Sequence, residues 1–423
     1  MIINQDRIKA IYCSVKMNNW DQFCGFIKET YDNLKSCDEG NVASYIPKLA
    51  TADPNLFGIS VVSYTGEEYH IGDTSTSFCV QSCVKPLLYM LALEEKGSEY
   101  VAKHIGREPS GQRFNSLMFN SEKLPYNPLI NAGAIMSTSL IKSEEKRDIR
   151  YDHIHKSWRT IISGDSDCIG FDNSVFLSEK DSASRNIALS YLMEENSVFP
   201  NGTNIENTLD LYFQSCSMTM TTKYLARFAA VMANSGLDLH TGERRISASV
   251  LKDTLCVMYS SGMYDYSGRW STDIGIPAKS GVAGAVFAVI PNVCGICVFS
   301  PPLDEMGNSV RAVRFFTELS RRFSIHIFET FIQGLDKKVR LTSVHDEKVA
   351  NLYKACKEGD VATLTSILNE EDIDVNVSDY DGRTPLHIAR AERNTECVNI
   401  LIEHGAKPNA EDRWGNKAIS DND

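Results

Sequence analysis

Two residues at the start of an apolar helix have the types and the spacing of a nucleophile and its base. Ser82 and Lys85 lie three positions apart in Gln81-Ser-Cys-Val-Lys-Pro86, and the apolar stretch Leu87–Leu93 follows directly. Residues three apart share one face of a helix, so the lysine amine can reach the serine hydroxyl and accept its proton. Free N–H groups at the helix start would stabilise the oxyanion. The pair predicts acyl transfer, provided that burial or a nearby charge keeps the lysine partly neutral.

The same spacing occurs elsewhere in the chain and is not evidence by itself. Three other serines precede a lysine in this way: Ser139, Ser143 and Ser249. The first two lie in a charged run that is typical of exposed surface, and the third pair is followed directly by an aspartate. A lone pair of this kind is more often a solvated helix face than a catalytic site. Only Ser82 lies between an apolar strand-like segment and an apolar helix, where a lysine would lose water.

A second motif far downstream supports the first. Lys279-Ser-Gly281 has the form of the KTG motif of serine β-lactamases and penicillin-binding proteins, and it leads into a strand-like segment. Either motif alone is weak. A serine and lysine at the front of a helix, followed by this triplet at the edge of a strand, predict a serine acyl-transfer site.

Composition excludes several other classes of protein. The net charge of -12 argues against a nucleic acid or an anionic membrane as partner, and no apolar run is long enough to span a bilayer. The first residues show no signal peptide, so we expect an intracellular protein. The twelve cysteines are scattered, which fits free thiols, and Cys294-Gly-Ile-Cys297 is interpreted as buried strand. No HxxxH or HExxH pattern occurs, and we expect no metal and no cofactor.

The order of elements predicts an α+β domain. Strand-like segments occur near both ends of the first 330 residues, and helical stretches fill the interval between them. These segments are 56–64, 67–71, 282–290 and 295–300. Strands from two distant parts of the chain would close one antiparallel sheet. Ahead of them, Phe23, Ile27 and Tyr31 at helical spacing predict a helical lead-in.

The C-terminal segment contains ankyrin repeats. Asn376 and Asn409 are 33 residues apart, as are Gly382 and Gly415, and Thr-Pro-Leu-His387 opens a helix. The pattern predicts two helical pairs and the start of a third, with a structural hydrogen bond for His387. The domain boundaries are therefore a helical lead-in at 1–40, a catalytic domain at 41–332, a charged linker at 333–344 and ankyrin repeats at 345–423.

Six motifs in order carry a closer resemblance. They are Tyr45-Ile-Pro-Lys-Leu-Ala50, Gln81-Ser-Cys-Val-Lys-Pro86, Gly106-Arg-Glu-Pro-Ser-Gly-Gln-Arg-Phe-Asn115, Asn127-Pro-Leu-Ile-Asn-Ala-Gly-Ala-Ile135, Ser261-Gly-Met-Tyr-Asp-Tyr-Ser-Gly268 and Pro277-Ala-Lys-Ser-Gly281. Together they resemble the serine-dependent glutaminases, and the ankyrin tail is similar to the animal phosphate-activated branch, kidney and liver types. The resemblance implies a β-lactamase/DD-peptidase-like catalytic domain that converts L-glutamine and water to L-glutamate and ammonia.

The resemblance also implies roles for individual residues. Ser82 would attack the side-chain amide and Lys85 would accept its proton, giving an acyl-enzyme that water hydrolyses. The backbone N–H groups of Ser82 and Val282 would bind the oxyanion, and Tyr264 would relay a proton to the departing ammonia.

Four further residues and one carboxylate would bind the free amino acid. Glu179 would accept the α-ammonium group, although without the resemblance it reads as an exposed loop carboxylate. The carboxylate and amide of the substrate would contact four side chains: Tyr45, Asn131, Asn186 and Tyr212. Without the resemblance, Asn131 reads as a turn residue. A site built for both charges would select glutamine over peptides and simple amides.

The resemblance is a less direct guide to the regulation of the protein and to its cellular compartment. In the family, the segment at 116–124 gates the site and meets a neighbouring subunit, but its residues here differ from the usual pattern, and 143–169 also diverges. Activation by inorganic phosphate is thus an open expectation, with a homodimer, tetramer or filament. The family branch is commonly mitochondrial, yet the first ten residues resemble no transit peptide, so a removed leader and a cytosolic form both stay possible.

Two rival interpretations have discriminating features. Another β-lactamase-like serine amidohydrolase or peptidase should carry a secretory signal and would not need the glutamine-binding set. A catalytically weak regulatory protein that acts through its ankyrin repeats could have lost Ser82, Lys85 or Tyr264, whereas all three are present.

Overall fold

The computed structural model describes residues 20–111, 115–164, 167–329, 344–369, 373–379 and 382–419. Contacts divide the chain into two units, Met1–Leu341 and Thr342–Asp423. The predicted lead-in at 1–40 is described from Trp20 onward. The predicted linker at 333–344 lies outside the described residues apart from Val344.

Strands that are distant in the chain pair in the first unit. The strands are β1 (Gly58–Ser63), β2 (Glu68–Gly72), β3 (Phe78–Cys79), β4 (Gly170–Phe171), β5 (Met218–Met220), β6 (Ala278–Gly281), β7 (Ala285–Ile290) and β8 (Cys294–Phe299). Five form an antiparallel sheet in the order β2-β1-β8-β7-β6, and β3, β5 and β4 form a small second sheet. Ile59 of β1 lies opposite Val298 of β8. The predicted closure of one antiparallel sheet by both ends of the unit is confirmed.

Helices cover both faces of the large sheet. They are α1 (Trp20–Leu34), α2 (Lys85–Lys96), α3 (Ser98–Val101), α4 (Asn131–Leu140), α5 (Arg147–Ile162), α6 (Asn173–Asp181), α7 (Ser184–Glu195), α8 (Ile205–Cys216), α9 (Thr222–Ala233), α10 (Ala248–Ser261), α11 (Ser267–Asp273) and α12 (Val310–Arg322). None of the described helices is both long and apolar enough to cross a membrane.

The central strands are buried on both faces. In β7, Phe287 packs in the core formed with α2, α4, α8 and α9, while Val286 packs in a second core with Trp270 and Phe316 from the other side. Successive strand residues point to opposite faces, so a strand covered twice has no polar alternation. This packing explains why Ala285–Ile290 is apolar throughout.

The lead-in helix belongs to the second of these cores. Phe23 of α1 contacts the Phe323 ring edge-on, with ring centres 5.2 Å apart, and Tyr31 stacks on Phe57 at 4.7 Å. The predicted helix at this position is confirmed within Trp20–Leu34. Its apolar face stabilises the sheet rather than forming a separate core.

The second unit consists of stacked helical pairs. Its helices are α13 (Val344–Glu358), α14 (Val361–Leu368), α15 (Pro385–Ala391) and α16 (Thr395–Glu403). Leu352, Leu364, Leu386 and Leu401, one from each helix, are fully buried in one core. The two predicted pairs are confirmed, and a bridge between Glu411 and Lys417 begins the next repeat.

The repeat histidine has the predicted structural role. Its Nδ1 accepts a hydrogen bond from the backbone N–H of Thr384 at 3.0 Å, and its Nε2 lies 3.2 Å from the carbonyl oxygen of Asn416. His387 therefore caps its own helix and links it to the next turn.

One buried arginine joins the N-terminal segment to the sheet. Arg311 of α12 is 4% exposed, and its guanidinium donates to the carbonyl oxygens of Cys37, Pro54 and Leu56 and to Ser300 Oγ. These acceptors come from three parts of the chain: the segment after α1, the segment before β1 and the residue after β8.

We expect Arg311→Met to destabilise the protein by about 3 kcal/mol or more, because three backbone carbonyl groups and the buried Ser300 hydroxyl would lose a charged donor. Arg314→Met is the matched control on the same helix, since its pairing with Glu39 is exposed and should contribute less than about 1 kcal/mol. Denaturant unfolding of both variants measures the difference. Equal losses would contradict this role for Arg311.

Candidate active site

The predicted nucleophile lies in a sharp turn between a strand and a helix. A 3-10 turn spans Gln81–Val84, and α2 begins at Lys85. Gln81 has a φ of 46°, a left-handed conformation that is strained for a residue with a side chain. Ser82 is 7% exposed and Lys85 is fully buried. The turn places the serine and lysine side by side where the apolar helix meets the sheet.

The second motif packs directly on this turn. The Cys83 thiol lies 3.7 Å from the carbonyl oxygen of Lys279 in β6. A Cβ on Gly281 would approach the carbonyl oxygen of Val80 to 2.9 Å and Cys83 Sγ to 3.0 Å. Because only glycine permits this approach, Gly281 brings the end of β6 against the serine. The two motifs are thus in contact although about 200 residues separate them.

Tyr264 connects the two motifs. It begins the short 3-10 turn Tyr264–Tyr266 and has a φ of 54°, which is also left-handed. Its hydroxyl donates to the carbonyl oxygen of Ser280 at 3.0 Å. Burial raises the pKa of the Tyr264 phenol well above its ordinary value, and a hydrogen bond with the Ser82 side chain opposes that shift. The phenol therefore stays protonated beside the serine.

Asn131 joins the base to the rest of the site. It is the first residue of α4 and is 8% exposed, rather than a turn residue as the alternative interpretation had it. Its Oδ1 accepts from Lys85 Nζ at 2.7 Å and from the Tyr212 hydroxyl at 3.4 Å. Its Nδ2 donates to Asn186 Oδ1 at 2.8 Å. One amide thus fixes three of the predicted side chains.

Glu179 is buried in a helix, and the alternative of an exposed loop carboxylate is wrong. It lies in α6, is 7% exposed, and accepts a hydrogen bond from Gln81 Nε2 at 3.2 Å. Burial raises the pKa of Glu179 to about 7, while the bond from Gln81 and the charge of Lys85 oppose the rise. The carboxylate is poised to ionise when a cation approaches.

A cavity of about 200 Å³ opens between these elements. Six of the predicted residues line it: Tyr45, Ser82, Asn131, Glu179, Asn186 and Tyr212. Tyr45 is 51% exposed. Val282 and Tyr264 do not line this cavity, but both belong to one apolar cluster beside it. Among the described residues, nothing accepts a hydrogen bond from the backbone N–H of Val282.

Seven residues that line the cavity had no predicted role, among them three with polar or ionisable side chains close to the predicted residues: Gln81, Cys216 and Arg185. Gln81 directly precedes the serine, and that adjacency was the signal available in the sequence. Cys216 lies one helical turn after Tyr212 on α8, so the i, i+4 spacing could have indicated it. Arg185, which donates to the carbonyl oxygen of Asn115 at 3.5 Å, carries no such signal.

The electrostatics favour a neutral amine. Burial lowers the pKa of Lys85 to about 8, with Cys216 and Glu179 opposing the shift. Lys279 is also fully buried, and burial together with the charge of Lys85 holds its pKa well below the ordinary value. A serine hydroxyl bonded to a protonated phenol, with a lysine of lowered pKa one helical turn away, can activate a nucleophile and protonate a leaving group.

The fold and the site together define a class. A Ser-x-x-Lys pair at a helix start, with Lys-Ser-Gly on the edge strand of an antiparallel sheet, belongs to the β-lactamase-like serine hydrolases.

Known proteins narrow this class to one family. Residues 40–328 match the glutaminase family, and residues 320–412 match ankyrin repeats in three copies. The mouse glutaminase liver isoform, mitochondrial, is 39% identical over 407 residues, which are 95% of this chain and 67% of the mouse protein. A Nostoc glutaminase is 44% identical over 309 residues, covering 73% of this chain and 91% of its own. This chain belongs to the glutaminase family and is an enzyme that hydrolyses glutamine.

Solved structures agree with the assignment. A probable glutaminase superposes with a TM-score of 0.67 at 32% identity, covering 71% of this chain and 96% of that chain. A probable glutaminase from Bacillus subtilis complexed with 6-diazo-5-oxo-L-norleucine gives a TM-score of 0.64 at 28% identity, covering 74% and 98%. The predicted β-lactamase-like fold of the catalytic unit is confirmed.

Proposed function

We propose that this glutaminase cleaves the side-chain amide of L-glutamine through an acyl-enzyme on Ser82, with Lys85 as the base. The observation that carries the proposal is the fully buried Lys85 beside the Ser82 turn, with its pKa lowered to about 8. An ordinary lysine, with a pKa near 10.5, would be almost entirely protonated at neutral pH.

Acylation requires two proton transfers. Lys85 takes the proton of the Ser82 hydroxyl while the serine oxygen forms a bond to the amide carbon. The carbonyl oxygen becomes an oxyanion that the backbone N–H groups of Ser82 and Val282 bind. Tyr264 then donates its proton to the amide nitrogen, the C–N bond breaks, and ammonia leaves.

Deacylation repeats these steps with water. The Tyr264 phenolate left by acylation removes a proton from a water molecule, which attacks the ester carbon, and the protonated Lys85 supplies the proton for the departing serine oxygen. The bond to the Ser82 oxygen breaks, the serine recovers its proton, and L-glutamate is released. The raised pKa of Tyr264 keeps the phenol protonated before acylation and makes its phenolate a strong base for the water molecule in deacylation.

The cavity suits a small zwitterion. Glu179 would bind the α-ammonium group of glutamine, and this new charge would keep the carboxylate ionised. Asn131, Asn186, Tyr212 and Tyr45 would bind the α-carboxylate and the amide. Support comes from the volume of about 200 Å³, which is below the usual size of drug-binding pockets.

Ammonia release from L-glutamine tests the mechanism. Ser82→Ala should lower kcat by about a thousandfold or more, because the nucleophile is lost. Ser249→Ala is the matched control, since it removes a serine that also precedes a lysine by three positions but lies away from the cavity. Ammonia production that is equal in the parent and Ser82→Ala would disprove the acyl-enzyme.

The pH dependence of kcat/KM follows from two groups of the free enzyme. Lys85 must be neutral, so activity should rise tenfold per pH unit up to about pH 8. Glu179 must be ionised, so below about pH 7 the fall should steepen toward a hundredfold per unit. Glu179→Gln should raise KM and remove the lower ionisation while the upper one stays. A single ionisation in the parent enzyme would contradict these assignments.

Regulation by phosphate and self-association is a further part of the proposal. The enzyme would need no metal or organic cofactor, and inorganic phosphate would activate it by favouring a dimer, tetramer or filament. Exposed apolar side chains at Leu117 and Met118, in the segment predicted to meet another subunit, support an interface there.

Turnover and particle size, measured together across phosphate concentrations, test this regulation. We expect both to increase, because assembly would order the segment at 116–124 beside the site. Leu117→Ser combined with Met118→Ser should remove the phosphate response and leave the particle small. If phosphate activated that double variant without any change in particle size, activation would not depend on assembly, and this result would contradict the proposal.

The ankyrin unit and the compartment complete the proposal. Ankyrin repeats serve protein interaction, so this unit would bind another subunit or a different protein. The mouse relative is the mitochondrial liver isoform, which supports a mitochondrial location.

A further inference from the structure

The backbone around Tyr264 is strained and is held by neighbouring polar groups. Its φ of 54° costs about 1–3 kcal/mol for a residue other than glycine, and such a conformation persists only where its surroundings impose it. Ser267 Oγ donates to the carbonyl oxygen of Tyr264 at 2.6 Å and accepts from the backbone N–H of Met263 at 3.0 Å. One serine therefore bonds to both sides of the strained residue.

Asn308 holds the same segment from a different part of the chain. It is fully buried, and its Nδ2 donates to the carbonyl oxygen of Met263 at 3.2 Å. The turn that carries Asn308 is itself fixed, because Asp304 Oδ1 accepts from the Asn308 N–H at 2.9 Å. In the same turn, a Cβ on Gly307 would lie 3.7 Å from two carbons of the Tyr264 ring. The turn thus contacts both the ring of Tyr264 and the backbone before it.

Burial of the second polar atom of the Asn308 side chain is unfavourable for the free energy of folding. Its Oδ1 is buried and, among the described residues, has no hydrogen-bond partner. Such a group costs about 1–3 kcal/mol, and an apolar side chain of the same shape would avoid that cost. Packing alone therefore does not account for an amide here, whereas the bond that Nδ2 donates to Met263 does.

We propose that Asn308, together with Ser267, is a positioning residue for glutamine hydrolysis that holds the strained backbone of Tyr264 so that the phenol stays between Ser82 and Ser280. This inference rests on the proposed role of Tyr264 as proton donor. Neither residue lines the glutamine cavity, so each acts through Tyr264 and not on the substrate. Loss of the bond allows the Met263–Tyr264 peptide to relax toward an unstrained conformation and moves the hydroxyl away from the serine.

Asn308→Leu tests the proposal, with Asn234→Leu as the matched control. Asn234 is also buried and also donates its Nδ2 to a backbone carbonyl, that of Leu237 at 3.1 Å, but it lies at the end of α9. We expect Asn308→Leu to lower kcat by about tenfold to a hundredfold, with KM for glutamine changed less than about threefold. The control should keep kcat within about twofold of the parent. Thermal unfolding is the measurement that checks whether both variants are folded.

A double-mutant comparison separates positioning from a general loss of structure. In the Tyr264→Phe background, Asn308→Leu should lower kcat no further, because the hydroxyl that it positions is already absent. If turnover by Tyr264→Phe is too slow to measure, the rate of covalent labelling by 6-diazo-5-oxo-L-norleucine, measured by mass spectrometry, is compared instead. If Asn308→Leu does not fold, Ser267→Ala carries the same comparison.

Two outcomes would overturn the inference: unchanged kcat in Asn308→Leu, or the same fold-loss in both backgrounds. If Ser82→Ala in parallel stays as active as the parent, the acyl-enzyme itself fails. If only the Asn308 comparison gives the contrary result, the acyl-enzyme stands and the positioning role fails.

Discussion

The burial of one lysine, Lys85, away from water is the constraint on which the catalytic unit depends. Lys85 is enclosed where α2 meets the sheet and α4, and its amine donates a hydrogen bond to Asn131 Oδ1 there. Enclosing a charged ammonium is unfavourable, so burial lowers the pKa of Lys85 to about 8 and part of the amine is neutral near physiological pH. The apolar layers around the sheet therefore do more than stabilise the fold. They also lower the pKa of the buried lysine.

Two residues with strained backbones lie near this lysine, and the packing of the core stabilises them. Gln81 and Tyr264 both have left-handed backbones, at φ values of 46° and 54°. Each precedes or contains a group that must meet the serine, and each is fixed by side chains from distant segments. Gln81 reaches Glu179, and Tyr264 reaches Ser280. Strain of this kind is maintained only when a large core determines the surroundings, and the core on both faces of the sheet supplies that rigidity.

The sequence motifs were sufficient to predict most of the fold and part of the site. Ser82, Lys85 and the Lys-Ser-Gly triplet were recognisable because their chemistry depends on short spacing, and the ankyrin repeats because their period is regular. Burial of Glu179 was not predictable from Leu-Ser-Glu-Lys180, because it depends on packing against distant residues, among them Gln81, which donates a hydrogen bond to the carboxylate. Asn308 was missed for the same reason: its bond to Met263 joins residues 45 positions apart. Local patterns encode elements, whereas polar contacts between elements depend on the assembled fold.

Asn131 shows how substrate binding and base strength are coupled in such an assembly. Its one oxygen accepts from both Lys85 and Tyr212, while its nitrogen donates to Asn186 in the cavity wall. An acceptor near the ammonium favours the charged form of the lysine and so opposes the effect of burial. Because a single side chain holds both contacts, the amine of Lys85 is linked through Asn131 to the wall of the cavity, and the position of the amine depends on residues from α4, α7 and α8 together.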